Sequence, residues 1–379
     1  MPKVNTAIIQ NLTNTSDENG YGAVVEPIVM STTFERNREG VFPEGRDIYT
    51  RASNPNRRTL EGKLALLEGG IEAVTFASGQ AATMSVFHSL GANSHVILPD
   101  DIYYGTKVLI ETLYASWGMS YTAVDMTSLA AIEAAVKENT KLIWIESPSN
   151  PSLKVTDIGA VATLAKSKGI LTACDNTWAT PYFCKPFDFG VDLIMHSTTK
   201  YFGGHSDILG GAIIASENTP NELLAAIRNF QVLGGAVPSA QDCWLLSRSL
   251  STFHVRMPVH GQNAIALAEY LNSHSAIEKV FYPGLTNNEG YEVSKKQMKN
   301  GFGGMLSVII KGDEANCLKV ASKLKVFKHA TSLGGVESLV DHRRSAEGEH
   351  SVSPPNLLRI SVGIESIDDL IADFDQALV

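Results

Sequence analysis

From about Leu60 to about Ala215 the sequence alternates short β-rich runs with segments of helical period. An architecture that buries both is a series of βαβ units built on a mostly parallel sheet. One unit reads closely. Lys141-Leu-Ile-Trp-Ile-Glu146 is a short apolar run. Asp157 is placed to cap a helix whose Ile158, Val161, Ala162 and Ala165 fall on one face, and Gly169 is placed to end it. Ile170 to Cys174 is the next strand, and Asp192 to Met195 a third that leads into His196-Ser-Thr-Thr-Lys200. Glu146 and Asp175 then stand at the carboxyl ends of parallel strands, the edge where ligands bind in open α/β sheets.

The rest of the 379 residues bracket this unit. Residues 1–50 are rich in Asn, Thr, Glu, Arg and Gly with little periodicity, and predict an arm that takes its stability from packing on a neighbouring subunit. Residues 51–240 form the large domain. The boundary is placed after Gly234-Gly235, where Pro238 also interrupts regular structure, and residues 241–379 read as a smaller α+β domain. Within it, Ala264 to Tyr270 and Ile367 to Ala377 predict helices and Met305 to Ile310 a strand. The formal charge is −9 with no Lys/Arg run longer than two, which disfavours phosphate backbones and anionic lipid. Four scattered cysteines without a C-x-x-C pair fit a reducing compartment rather than a disulfide framework or zinc ribbon. With no signal-peptide pattern and no long apolar run, the expectation is a soluble cytoplasmic protein.

Nucleotide signatures of the G-x-x-x-x-G-K-[ST] and G-x-G-x-x-G types are absent. Ser197-Thr-Thr-Lys200 matches the S-x-x-K of serine acylases, but the companion S-D-N and K-T-G motifs are missing. His342, Glu347, Glu349 and His350 follow no standard metal-ligand spacing and read as part of a solvated loop; no metal is expected. Three other features point one way. Val74-Thr-Phe-Ala-Ser-Gly-Gln-Ala-Ala82 reads as strand, Gly turn and helix start, which aims free N–H groups at an anion. Lys200 follows an apolar strand, where its amine can lose its proton and form a Schiff base. Asp175 ends another strand, where a carboxylate requires a cation such as a protonated pyridine. Each has an ordinary reading, respectively a βα turn, a surface lysine and a helix cap. In this order and together they are the parts of a pyridoxal 5′-phosphate site.

The chain resembles the Cys/Met-metabolism family of pyridoxal-phosphate enzymes, the trans-sulfuration group, from about Gly22 to its C-terminus. The resemblance is carried by Tyr49-Thr-Arg-Ala-Ser-Asn-Pro55, Ala77-Ser-Gly-Gln-Ala81, Asp101-Ile-Tyr103, Glu146-Ser-Pro-Ser-Asn-Pro151, Asp175-Asn-Thr177, Ser197-Thr-Thr-Lys-Tyr201, Gly204-His-Ser-Asp207, Ser332-Leu-Gly-Gly-Val-Glu-Ser338 and Arg359-Ile-Ser-Val-Gly363. It implies an α/β fold of type I, similar to aspartate aminotransferase, with a mostly parallel central sheet and the smaller C-terminal α+β domain. It implies that Lys200 holds the cofactor, that Asp175 keeps the ring nitrogen protonated, that Tyr103 stacks on the ring and that Asn150 contacts the ring hydroxyl. The phosphate would be held by the backbone of Gly79 and Gln80, by Ser197 and Thr199, and by Tyr49 and Arg51 of a neighbouring subunit, in a homotetramer built from two dimers. Arg359, supported by Ser332, would fix the substrate α-carboxylate.

The same resemblance implies a carbon–sulfur lyase that cleaves L-cystathionine or a related sulfur amino acid by β- or γ-elimination, with Lys200 and Tyr103 carrying protons. The alternative is a γ-replacement transferase, a cystathionine γ-synthase or O-acylhomoserine sulfhydrylase. Leu333 and Glu337, the latter counted as a substrate contact, match the γ-acting members. Tyr104 stands where the family usually has Gly, Gly105 where methionine γ-lyases commonly have Cys, and Val108 where cystathionine-handling members often carry Arg. Arg46, Arg343 and Arg344 are the candidate substitutes for that cation, in a segment after Val340 that is short for the family.

Overall fold

The computed structural model describes residues 3–11, 23–42, 45–348, 351 and 353–379. Gly22, Glu349 and His350 lie outside the described residues.

Seven strands form the first sheet: β1 (Glu72–Phe76), β2 (His95–Pro99), β3 (Ser120–Val124), β4 (Thr140–Glu146), β5 (Leu171–Asp175), β6 (Leu193–His196) and β7 (Gly211–Ala215). Their order is β1-β7-β6-β5-β4-β2-β3, and every pairing is parallel except the two made by β7. Side chains of β2 and nearly all of β4 are buried, as a sheet covered by helices on both faces requires. The helix read between β4 and β5 runs Ile158–Ser167. The Asp157 carboxylate accepts the Ala160 N–H at 3.0 Å, and the four predicted apolar side chains are buried. Register then fixes the sheet edge. Glu146 pairs with Asp175, Asp175 with Met195 and His196 with Ala212, so the ends of β4, β5 and β6 are level.

The second sheet has the order β10-β11-β12-β9-β8, from β8 (Ile277–Phe281), β9 (Met305–Ile310), β10 (Lys328–His329), β11 (Leu339–His342) and β12 (Leu357–Ser361). It is antiparallel apart from β10 with β11. Helices Phe253–Ser273, Glu314–Lys323 and Ile367–Ala377 cover it, and its core is a separate cluster built around Leu267, Val308, Ile360 and Phe374. The chain crosses between the two cores inside the Phe253–Ser273 helix. Phe253 and Met257 pack with the first core, as do Cys243 and Leu246 of the preceding helix, whereas Ala264 onward belongs to the second. The Ser307 hydroxyl donates to the Pro151 carbonyl at 2.7 Å and ties β9 to the loop after β4.

Residues 23–42 carry little regular structure and expose Val24, Val25 and Met30, while Trp244 Nε1 and Asn56 Nδ2 donate to the carbonyls of Glu26 and Pro27. The short helix Val4–Ile9, which periodicity did not suggest, is held by burial of Ile8 in the first core. The stretch read as a solvated loop is corrected. His342 ends β11, Arg343–Glu347 is a helix, and His342 and Arg343 are buried, with Ser345 and Pro355 on the two ring nitrogens of His342 and Asp341 and Glu347 on Nη1 and Nη2 of Arg343, whose Nε is left without a partner. Among the described residues no group of three His, Cys, Asp or Glu side chains is placed to hold a metal, and no helix is long and apolar enough to cross a membrane. All four cysteines are free and buried.

Behind the sheet edge, Glu68 at the end of helix Pro55–Glu68 is buried against His196 Nε2 and accepts the Asn176 side-chain N–H at 2.8 Å. Breaking a buried pair by removing one partner strands the other in low dielectric. His196→Ala is therefore expected to cost about 3–5 kcal/mol in urea unfolding of the cofactor-free protein at fixed concentration. A loss below about 1 kcal/mol, the size of an exposed pair, would show that Glu68 does not depend on the ring.

Candidate active site

A cavity of about 520 Å³ lies at the carboxyl edge of the first sheet and is bordered on its other side by residues of the second domain. Gly79, Gln80, Tyr103, Asn150, Asp175, Ser197, Thr199, Lys200, Ser332 and Arg359, brought from both sheets, all line it. Tyr49, Arg51 and Glu337 do not. Tyr49 and Arg51 are exposed, Arg51 donating to the Val232 carbonyl at 2.8 Å, and Glu337 accepts the Ser206 hydroxyl. Arg46 and Arg344 also lie outside the lining, while Arg343 is part of it.

One end of the cavity is built for an anion. After β1 the Ser78 side chain caps helix Gly79–Ser89 by accepting the Ala81 N–H at 3.1 Å, which leaves the first-turn N–H groups of Gly79 and Gln80 without intrahelical partners. A Cβ on Gly79 would stand 3.0 Å from both Cβ and Oγ of Ser197, so glycine lets the helix start meet the residue after β6 without pushing it aside. Ser197 donates its N–H to Thr177 Oγ1 at 2.9 Å, and the Thr199 hydroxyl exchanges hydrogen bonds with Gly210.

The floor carries two carboxyls side by side. Burial raises Glu146 well above the usual carboxyl range, and the adjacent Asp175 raises it further; its Oε2 accepts the Tyr103 N–H at 3.1 Å. Burial also raises Asp175, but hydrogen bonding by Thr177, at 3.0 Å from its N–H, and the nearby His196 and Lys200 oppose that rise. Like charges so close do not both ionise readily. Glu146 is driven further toward its protonated form, and Asp175 is the one whose negative charge its neighbours favour, which suits a cationic ring nitrogen.

Lys200 sits between the two domains. Burial, then the positive charge of Arg359, brings its amine down to about 8. Its Nζ donates to Ser332 Oγ at 2.6 Å. Ser332 has φ of 80°, a left-handed backbone uncommon for a side-chain-bearing residue. Two residues on, Gly334 also has positive φ, and a Cβ there would fall 2.7 Å from the Tyr201 nitrogen. The loop can lie on the lysine backbone only because that position is glycine. Arg359 is buried on β12, where it donates to Asn150 Oδ1 at 3.2 Å, to Ser332 O at 3.1 Å and to Asp341 Oδ2 at 3.0 Å.

Motif reading passed over two members of the site. Asp341, directly opposite Arg359 in the β11–β12 register, bridges Arg359 and Arg343, and Glu347 accepts from Arg343 at 2.8 Å. The signal was present as Asp341 and Arg343 two apart at a strand end and Arg343 and Glu347 four apart on a helix. A phosphate-bearing pyridine aldehyde fits what is present: an N–H cradle that a Cβ would fill, a buried carboxylate for the ring nitrogen and a deprotonatable amine for the aldehyde.

The model of Cys/Met metabolism PLP-dependent enzymes matches residues 5–379. A cystathionine γ-synthase of Mycobacterium tuberculosis is 42% identical over 94% of this chain and 92% of its own. A cystathionine β-lyase of Lactococcus lactis is 40% identical over 96% of both chains. The crystal structure of a cystathionine γ-lyase from Lactobacillus plantarum complexed with L-serine superposes with a TM-score of 0.92 at 38% identity, covering 99% of this chain and 98% of that one.

An amine with its midpoint near 8 is charged and inert below that pH and nucleophilic above it. In the cofactor-free protein, reductive methylation of Lys200 followed by peptide mass spectrometry is expected to reach half its maximal rate near pH 8. Exposed lysines should still be rising near pH 10, about their ordinary pKa. A Lys200 midpoint at pH 10 would contradict the environment described.

Proposed function

The chain belongs to the Cys/Met metabolism family of pyridoxal-phosphate-dependent enzymes, and from that premise we propose that it is a carbon–sulfur lyase of trans-sulfuration, acting on L-cystathionine or a related sulfur amino acid. The observation that carries the reading is the meeting of Lys200 and Arg359 at Ser332, one on its hydroxyl and the other on its carbonyl. An α-carboxylate held by Arg359 brings the neighbouring carbon and its proton beside the lysine amine.

When bound, pyridoxal phosphate supplies an electron sink for a carbanion at that carbon. The chain's residues do the rest. Gly79, Gln80, Ser197 and Thr199 would hold the phosphate, Asp175 would keep the ring nitrogen protonated, and Asn150 would contact the ring hydroxyl. Tyr103, anchored through its N–H by Glu146, would stack on the ring. Lys200 Nζ takes the Cα proton, and its lowered basicity lets it release that proton again near neutral pH. A single proton transfer suffices for loss of a β-thiol; loss of a γ-substituent needs a second, from Cβ, which Lys200 and Tyr103 share. The β-lyase and γ-synthase relatives at 40% and 42% identity favour neither fate by similarity alone, and γ-replacement remains the second reading.

Tyr49 and Arg51, exposed and outside their own cavity, are assigned to the phosphate of a neighbouring subunit in a cytoplasmic homotetramer built from two such dimers. Mixing inactive Tyr49→Phe/Arg51→Ala subunits with inactive Lys200→Ala subunits should restore up to about a quarter of wild-type activity, because half of randomly formed dimers are mixed and each has one intact site. No recovery in hybrids confirmed to have formed would remove the shared site.

The reaction itself is tested by incubating the holoenzyme with L-cystathionine and identifying the 2-oxo acid and thiol by mass spectrometry. Pyruvate with homocysteine marks β-elimination, and 2-oxobutanoate with cysteine marks γ-elimination. Lys200→Ala should abolish both products and the yellow absorbance of the bound cofactor. Turnover of an O-acylhomoserine plus a thiol, with cystathionine left intact, would replace the lyase reading by the transferase.

A further inference from the structure

Three cationic side chains of the described residues line the cavity: Lys200, Arg359 and Arg343. On the function proposed above, the first two are committed to the cofactor and the α-carboxylate. Arg343 is the cation that remains for the far end of a substrate, and it is already held. Its Nη1 donates to Asp341 Oδ2 and its Nη2 to Glu347 Oε1, both at 2.8 Å, and Asp341 Oδ2 also receives Arg359 Nη2 at 3.0 Å. Glu347 is fixed from its other side, where Oε2 accepts the hydroxyls of Ser351 at 2.6 Å and Ser353 at 2.8 Å. Two guanidinium groups therefore face two carboxylates, and the α-carboxylate of an incoming amino acid makes the group net negative. Val108, Leu209, Ala346 and Leu333 add apolar lining and no countercharge. In a partly dehydrated cavity a second anion finds both Nη groups of Arg343 already taken by carboxylates of this chain, and the one Arg343 donor without a partner, Nε, is buried out of reach.

We propose that Glu347 is a specificity-determining residue that makes the cavity a filter for net charge, accepting substrates whose far end is neutral or zwitterionic and turning away those whose far end is anionic. A thiol, a thioether, an acetyl ester or the amino-acid end of cystathionine belongs to the accepted class, and a succinyl ester to the rejected one. This inference rests on the proposed placement of the α-carboxylate at Arg359.

Two matched pairs test it on the holoenzyme. The first is binding, followed by the spectral change of the bound cofactor, of L-norleucine against L-2-aminoadipate, which place a methyl and a carboxylate at the side-chain end. The second is kcat/KM for O-acetyl-L-homoserine against O-succinyl-L-homoserine. The wild type should favour the neutral member of each pair by about tenfold or more, as removal of like-charge conflict predicts. Glu347→Gln, which removes one of the two carboxylates on Arg343 and leaves its positive charge to spare for the ligand, should collapse both ratios toward one, chiefly through Kd and KM for the anionic member. Glu347→Asp should restore most of the preference. Equal handling of the two members by the wild type would overturn the filter, and so would a Gln variant that weakens both alike, which is what a purely structural role gives. If the binding ratio behaves as expected while neither ester is consumed, the filter stands and the proposed reaction fails. If neither amino acid binds, both fall.

Discussion

Glu146 and Asp175 stand side by side at the ends of two adjacent parallel strands, the first buried and the second half-buried in the same cavity, and the surrounding structure is organised around keeping one of them charged. Parallel register puts them there, because a shift of one residue would turn either side chain to the opposite face of the sheet. Burial drives both toward the neutral form. The symmetry is broken by their neighbours: Glu146 receives one N–H, from Tyr103, whereas Asp175 receives the Thr177 N–H and stands near His196 and Lys200. His196 is in turn held by Glu68 from a helix more than a hundred residues earlier, and Asn176 donates to the same carboxyl. Polar groups on both sides of the strand ends thus set the charge of the aspartate that faces the cavity.

The cations on the other side of the cavity come from the second sheet, and their arrangement follows from its antiparallel pairing. Asp341 lies opposite Arg359, so one carboxylate oxygen reaches both Arg359 and, two residues along the chain at the start of the helix after β11, Arg343. An unpaired buried guanidinium would be costly. Here each is hydrogen-bonded to a carboxylate, and burial with the neighbouring Arg343 brings Arg359 down only to about 10, which leaves it charged at neutral pH. The loop that carries Ser332 and Gly334 presses the second domain onto Lys200, so the lysine environment depends on both domains.

Much of this was legible in the sequence where chemistry and local structure coincide. The Asp157 cap, the four apolar positions after it, and the strand ends at Glu146 and Asp175 follow from short-range periodicity, and they fall where the reading put them. Lys200 and the Ser78–Gly79 turn likewise declare themselves by a strand followed by a polar residue or a glycine. The Arg343–Asp341–Arg359 bridge was not legible, because its partners are joined by a strand register that closes over eighteen residues. Polar composition made His342 to Glu347 look solvated; Arg344 to Ala346 are exposed, but His342 and Arg343 are buried and Glu347 is half-buried, held by hydrogen bonds to one another and to their neighbours. Glu68 gave no signal at all, since its partner His196 lies 128 positions away.

The groups that move protons do not by themselves choose a reaction. Lys200 and Tyr103 line one cavity but differ in kind: the amine is buried and weakened, while the phenol ring is half-exposed and tethered through its backbone. On the proposed function a β-elimination uses the first alone and γ-chemistry uses both, so a cavity lined by both is equipped for either. Discrimination then falls to the walls, which decide what leaving group or attacking thiol can stand beside these residues. The wall contributed by helix Arg343–Glu347 is internally neutralised, and it gives an anionic group nothing that the fixed carboxylates have not already taken. On the proposed charge filter, substrate class is set by a pair that need not touch the reacting carbon, through the charge left over around it.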